Sequence, residues 1–211
     1  MEFEDINKLV NDEFTNRLYN ARNIFYEIYE ACDYKFEKGC GSYLFDGQSY
    51  KYCNIMLEKQ ELLYKSVKDA KSILEIGTYM GHSLLIMLLS NPLLKITCVD
   101  ISDTYTGPAV KVLNKYFNNA ITFIHGDSLD VLPKLGKFDF FHIDGYHEND
   151  YITREFKLIC NLNNQATLRI IFDDQDNMKK LQEDISRNYK IISYTRPSCQ
   201  WSNIYFELAT L

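Results

Sequence analysis

Glycine and proline are scarce in this chain, at 9 and 4 of 211 residues, while tyrosine alone contributes 16. The accompanying richness in Asn, Lys and Ile points to an AT-rich genome, such as that of a large DNA virus or a low-GC microbe. No repeat and no low-complexity segment is evident. The six cysteines (Cys32, Cys40, Cys53, Cys98, Cys160 and Cys199) form no C-x-x-C pair, which speaks against a zinc or redox motif. They read as reduced thiols in a cytosolic setting, with Cys98 and Cys160 inside expected core elements. Long apolar runs are missing too. The longest, Leu84 to Leu89, is far too short for a bilayer span. Met1-Glu2-Phe3-Glu4-Asp5 is acidic and lacks the apolar stretch of a secretory leader, so a cytoplasmic location is expected, the host's if the source is viral. Positive charge is outnumbered, and a net charge of −6 disfavours a nonspecific nucleic-acid or anionic-membrane surface.

What is present suits one α/β domain with an added segment. Residues 1–38 read as helical, with Phe14, Leu18, Ile24, Phe25 and Ile28 near helical spacing. Turn signals follow at 39–42 and 46–49, then a helix over about 55–69. From Ile73 onward apolar runs alternate with amphipathic segments. Strands are expected at 73–77, 95–100, 120–124, 138–143 and 167–172. Helices are expected near 82–90, 107–117, 128–134, 150–161 and 176–187, and two last strands at 190–195 and 203–208. This alternation predicts a Rossmann-like parallel sheet with crossover helices, closed by a C-terminal antiparallel pair. The boundary is set at 70: a helical N-terminal extension over 1–70 and the sheet domain over 71–211.

The most informative stretch is Ile73-Leu74-Glu75-Ile76-Gly77-Thr78-Tyr79-Met80-Gly81-His82-Ser83. An apolar strand runs into Glu75, then Gly77, then three residues to Gly81, where an apolar helix begins. Such glycines let the backbone turn sharply and approach a ligand at a helix N-terminus. Asp100 ends the next apolar run, where an acid can take two ribose hydroxyls. The spacing is neither the G-x-G-x-x-G of a dinucleotide fold nor a P-loop, which needs a lysine after its last glycine. A second constellation joins Ile143-Asp144-Gly145-Tyr146-His147 to Phe172-Asp173-Asp174. In a parallel sheet both strand ends open at one carboxyl edge. Asp144, Asp173 and Asp174 would then converge, and clustered carboxylates favour a hard ion such as Mg²⁺. A metal there could lower the pKa of a substrate hydroxyl.

The acid two residues before Gly77, the Gly77-x-x-x-Gly81 turn and Asp100 resemble motif I of class I S-adenosylmethionine (SAM) methyltransferases. Residues 74–85 resemble the opening of the catechol and caffeoyl-CoA type of metal-dependent O-methyltransferases. Ile143 to His147 with Phe172 to Asp174 is similar to the macrocin O-methyltransferase group and to the methyltransferases bearing an I-D-G-x-H signature. The resemblance spans about residues 70–175. It implies a class I fold, SAM bound by Glu75, Gly77, Thr78, Tyr79, Gly81, Ser83, Asp100, Asp127 and Ser128, and a divalent cation held by Asp144, Asp173 and Asp174. Asp144 and His147 are the catalytic pair it implies. His147 stands where the catechol type places a lysine base, and histidine is a competent base at neutral pH. That departure fits sugar-modifying relatives better than catechol enzymes. Asn163-Asn164 replaces a Gly-Gly, a turn Asn can make because it tolerates left-handed backbone.

Other residues carry two readings. Glu75 orients the turn or reaches the methionine amine of SAM. Asp127 reads the adenine amine or caps a helix. His125 and His142 are read as core histidines, and His82 as either cofactor-lining or structural. Asp176 is an outer ligand or a cap. Phe45, Asp46, Tyr50 and Tyr52 are acceptor contacts or packing, and Tyr79 and Trp201 stack on a ligand or fill space. The resulting expectation is a Mg²⁺-assisted, SAM-dependent O-methyltransferase acting on a small hydroxyl acceptor, first a sugar. No nucleic-acid or membrane partner is expected, and a homodimer is left open. The alternatives are a phenolic or catechol acceptor, or a SAM-binding protein without turnover.

Overall fold

The computed structural model describes residues 12–173, 178–199 and 201–209. The N-terminal helical expectation resolves into α1 (Glu13–Asn20) and α2 (Arg22–Ala31). Asp12 starts α1 with a capping box: its Oδ1 accepts the Thr15 amide at 2.8 Å, and the Thr15 hydroxyl takes the Asp12 amide. The chain leaves α2 through Asp33 and Tyr34, both at positive φ. A 3₁₀ turn at Asn54–Met56 leads into α3 (Leu57–Ser66).

The alternating part follows as β1 (Ser72–Ile76), α4 (His82–Ser90), β2 (Lys95–Asp100), α5 (Thr106–Tyr116), β3 (Ile121–His125), α6 (Ser128–Val131), β4 (Phe140–Ile143), α7 (Asn149–Leu162) and β5 (Thr167–Phe172). Then come α8 (Lys179–Asn188), β6 (Ile191–Thr195) and β7 (Ile204–Ala209). All expected strands exist, with ends moved by a residue or two. β1 stops before Gly77, whose φ of +77° leaves the extended region. β4 starts only at Phe140, because Phe138 makes a single bridge to Asn163 instead. The expected helix over 128–134 tightens into a 3₁₀ turn at Leu132–Lys134, around Pro133.

One seven-stranded sheet runs in the order β3-β2-β1-β4-β5-β7-β6. The first five strands are parallel, and β7 pairs antiparallel with both β5 and β6. Chain order reverses between β1 and β4, so a crevice opens beyond their carboxyl ends. One face packs against α4 and α5 and, in the same apolar cluster, against α1, α2 and the 43–52 loop. The other face carries α7 and α8. From His82 to Leu88 every residue of α4 is buried, which explains its apolar character all round. All six cysteines are free thiols. Among the described residues no helix is long and apolar enough to cross a membrane.

Asn163 ends α7 at φ −69° and ψ 136°, an extended conformation, so this turn does without the left-handed backbone expected of it. Its side chain braces the bend by donating to the Gln165 carbonyl at 2.9 Å. Asn118 and Asn119, after α5, are the asparagines that do adopt positive φ.

Candidate active site

The glycine turn sits at the crevice between β1 and β4. Gly77 donates its N–H to the Val99 carbonyl at 2.9 Å. A Cβ on Gly77 would lie 2.1 Å from the Asp144 carbonyl oxygen, so the exit of β4 crosses directly over the end of β1. Gly81, at φ +68°, precedes α4 as its N-cap. Tyr79 also has positive φ, unusual for a side chain of its size. Three bonds hold it there. Its N–H donates to Asp100 Oδ2 at 2.9 Å, its carbonyl accepts the Thr106 hydroxyl at 3.0 Å, and its hydroxyl accepts the Glu37 amide at 2.8 Å.

Asp100 does more than end β2. Its Oδ2 also accepts the Thr78 amide at 2.8 Å and the Thr106 hydroxyl at 3.1 Å. Its Oδ1 accepts the Ser102 amide at 2.9 Å. This half-exposed carboxylate therefore braces the turn through Oδ2 and keeps acceptor capacity on Oδ1. Ser83 is buried in the first turn of α4.

Glu75 is fully buried and bonded to the turn. Its Oε2 accepts the Thr78 hydroxyl at 2.8 Å, and its Oε1 lies 2.9 Å from His142 Nδ1. His142 is the satisfied core histidine expected of it. Its Nε2 meets the Tyr43 hydroxyl at 2.8 Å, and that hydroxyl accepts from Asn203 Nδ2 at 3.0 Å. One assignment satisfies the whole chain: Nδ1–H donates to Glu75, and Nε2 accepts from Tyr43. Burial, then the Asp173 and Asp144 carboxylates, hold the Tyr43 hydroxyl well above its ordinary pKa, so it stays protonated.

Asp144 and Asp173 stand on neighbouring strand ends, as expected. Ile143 pairs with Phe172, and the Asp173 amide donates to the Ile143 carbonyl at 2.8 Å. Asp174 and Asp176 lie outside the described residues. His147 sits half-buried in the loop leaving β4. The residue that the sequence reading missed is Lys59. Its Nζ lies 2.6 Å from Asp173 Oδ2, with both side chains about 95% buried and with Nζ 4.5 Å from the Tyr43 ring centroid. Asp173 Oδ1 is buried with no hydrogen-bond partner among the described residues, so Asp173 itself has one unengaged oxygen. No group of three His, Cys, Asp or Glu that could hold a metal occurs among the described residues. A divalent cation on Asp173 would have to share that carboxylate with a buried ammonium, so the described donors do not fit one.

A signal for Lys59 was present. Met56, Lys59, Gln60, Leu63 and Val67 fall at helical spacing and are all buried, so the lysine lies on the apolar stripe of α3. Tyr43 and Asn203 carried no such signal.

Asp127 caps α6, accepting the Leu129 amide at 2.8 Å and the Tyr151 hydroxyl at 2.5 Å. Ser128 donates to Glu155 Oε1 at 2.5 Å. His82 lies between Ser42 and Tyr50; its Nε2 is 2.8 Å from a Tyr50 hydroxyl that also donates to the Phe25 carbonyl. This is the structural reading of His82. Phe45, Tyr50 and Tyr52 are buried in the same packing, and Asp46 closes a turn onto Gln48. Trp201 is 45% exposed. His125 departs from expectation: at the end of edge strand β3 it is exposed, its Nε2 3.0 Å from the Ile101 carbonyl.

Two buried groups set opposing pH slopes. Burial pushes the Glu155 carboxyl up from 4.5 to about 7. Stability should fall as pH rises from about 4.5 to about 7, because the unfolded chain ionises first. Burial pulls His82 down from 6.5 to about 3, so stability should fall as pH drops below about 6.5. Between these limits the two slopes oppose each other. Glu155→Gln mimics the protonated acid and is expected to gain on the order of 3 kcal/mol at pH 8 over any gain at pH 4. Urea melts at both pH values check this, and equal gains would show that Glu155 does not titrate.

Comparison with known proteins agrees with this geometry. Residues 74–175 match a family described as a methyltransferase domain. No curated protein matches the chain. The O-methyltransferase TomG of Streptomyces achromogenes, involved in tomaymycin synthesis and solved with SAM, superposes with a TM-score of 0.67 at 15% identity over 100% of both chains. An O-methyltransferase of Bacillus cereus bound to S-adenosylhomocysteine (SAH) gives 0.66 at 14% identity, over 98% of this chain and 96% of that one. SAH-bound PaMTH1 of Podospora anserina gives 0.62 at 16% identity, over 93% and 96%. The sheet order and the likeness to these structures show the class I methyltransferase fold. Residues 74–175 are the part of the chain similar to a methyltransferase domain.

Proposed function

We propose that this protein transfers the methyl group of SAM to a hydroxyl oxygen of a small molecule, with a sugar as the first acceptor to test. The observation that carries this reading is the Gly77–Gly81 turn braced by Asp100, in backbone contact with the Asp144 loop. Gly77 lets the β4 exit close onto the end of β1 beside the cofactor crevice, and Asp100 Oδ1 is the acceptor for the cofactor's ribose. Bound there, SAM supplies a methyl group on a sulfonium, open to in-line attack. The chain's own residues then have two tasks. The β4 exit loop must hold the acceptor hydroxyl facing the turn, and a base must take its proton. His147, on that loop, is the base in this proposal. Asp144 helps to orient the acceptor at the same strand end. In this proposal residues 12–70 cover the acceptor side. Mg²⁺ takes no part in this proposal, because Lys59 already engages Asp173.

Calorimetric titration of SAM, and in parallel NADH, tests the cofactor. Micromolar SAM binding without NADH binding is the expected result, and no SAM binding would end the methyltransferase reading. A labelled-methyl screen of sugars against phenols then tests the acceptor. Incorporation only into phenols would reassign it.

A further inference from the structure

We propose that the Lys59 ammonium takes the place of a divalent cation at the acceptor edge, so that this protein holds Asp173 in its working position without metal. The inference rests on the methyltransferase reading above and specifies how its carboxylate edge is neutralised.

Three observations carry it. First, the ion pair is short and enclosed, with Nζ 2.6 Å from Oδ2 and both side chains nearly inaccessible. A buried charge needs a partner, and here each supplies the other. Second, the ammonium is fixed from the backbone outward rather than swung in on a free stem. The next residue on α3, Gln60, donates from Nε2 to the Tyr43 carbonyl at 2.6 Å and to the Cys53 carbonyl at 3.1 Å. Its Oε1 accepts the Tyr52 hydroxyl at 3.0 Å. The Lys59 carbonyl itself accepts from Asn203 Nδ2 at 3.4 Å. Third, Nζ lies over the Tyr43 ring, which favours a cation, and the Tyr43 hydroxyl continues through His142 to Glu75. One polar chain thus links Asp173 at the acceptor edge to the turn at the cofactor edge.

A lysine does part of what a metal does. It neutralises one carboxylate and fixes its orientation. It cannot polarise an acceptor hydroxyl by direct coordination, so proton removal falls more heavily on a side-chain base. Lys59 is therefore a positioning residue, and it excludes the dication by occupying its ligand and repelling its charge.

Mn²⁺ titration followed by electron paramagnetic resonance tests this on the full-length protein with SAH present. Wild type is expected to show no stoichiometric Mn²⁺ site of sub-millimolar affinity. Lys59→Ala frees Asp173 and should bind one Mn²⁺ at least roughly tenfold more tightly than wild type, and Asp173→Asn added to it should remove the gain. Lys59→Met, which keeps most of the stem, serves if the alanine variant fails to fold. A sub-millimolar wild-type site lost on Asp173→Asn would overturn the proposal, as would equal Mn²⁺ affinity in wild type and both Lys59 variants. SAH binding to the same wild-type sample is read by calorimetry. Its failure would count against the methyltransferase reading, while the Mn²⁺ result would still report on Lys59.

Discussion

Gly77→Ala is expected to cost more than about 3 kcal/mol of stability and to abolish SAM binding. Two effects add at this position. The backbone sits at φ +77°, where a side chain costs roughly 1–2 kcal/mol. The new Cβ would also meet the Asp144 carbonyl oxygen at 2.1 Å and its carbon at 2.5 Å. Those are backbone atoms anchored by the Asp144 amide, which donates to the Ile76 carbonyl at 2.7 Å, so they cannot swing away as a side-chain tip would. Relief requires the β1 end and the β4 exit to separate, which opens the crevice itself. Gly107, near the start of α5, is the control. A Cβ there meets nothing within 4 Å, and alanine should be neutral or slightly stabilising. Urea midpoints and SAM calorimetry on both variants check the pair. A Gly77→Ala protein as stable as wild type would mean that β4 does not cross the turn as described.

Asp100→Ala should weaken SAM binding by about a hundredfold or more and destabilise the protein by roughly 2–4 kcal/mol. Four donors lose their acceptor: the amides of Thr78, Tyr79 and Ser102 and the Thr106 hydroxyl. Two of these keep Tyr79 in its left-handed conformation, either by bonding it directly or by placing Thr106 against its carbonyl. Asp100→Asn separates bracing from ligand binding. Its single carbonyl oxygen can serve the turn, while its amide presents a donor where ribose hydroxyls need an acceptor. Asn should therefore preserve much of the stability and lose most of the affinity. Unchanged SAM affinity in Asp100→Asn would leave the carboxylate as a brace only.

The sheet, the glycine turn and Asp100 were legible because each is a local pattern. Apolar runs alternate with helical spacing, and only a glycine fits a positive φ packed against another backbone. The neighbouring placement of Asp144 and Asp173 followed from parallel topology. Strand ends moved where local chemistry intervened, as at Gly77 and Pro133. His125 was misjudged because apolar neighbours suggest a core strand, whereas β3 is at the sheet edge. Asn163-Asn164 was read as able to make the turn because Asn tolerates left-handed backbone, yet the Asn163 side chain makes it another way. Lys59 could have been noticed as a charge on an apolar stripe, but its partner is 114 residues away. Nothing local marks Tyr43 or Asn203, whose bond spans 160 residues. Glu155 was overlooked because a helix acid looks solvated until the packing of α7 is known.

The polar chain from Glu75 through His142 and Tyr43 to Asn203 also constrains the order of assembly. Its members come from four distant parts of the chain, and Asn203 arrives just before β7, which inserts between β5 and β6. Contacts of such long sequence separation close slowly, after loop entropy has been overcome elsewhere. Until β7 docks, Tyr43 and His142 lack their final register. The local contacts of β1, α4 and β2 are therefore expected to form first and the acceptor edge last. Refolding followed by tyrosine environment should therefore lag behind the recovery of secondary structure, and activity should appear with the slower signal.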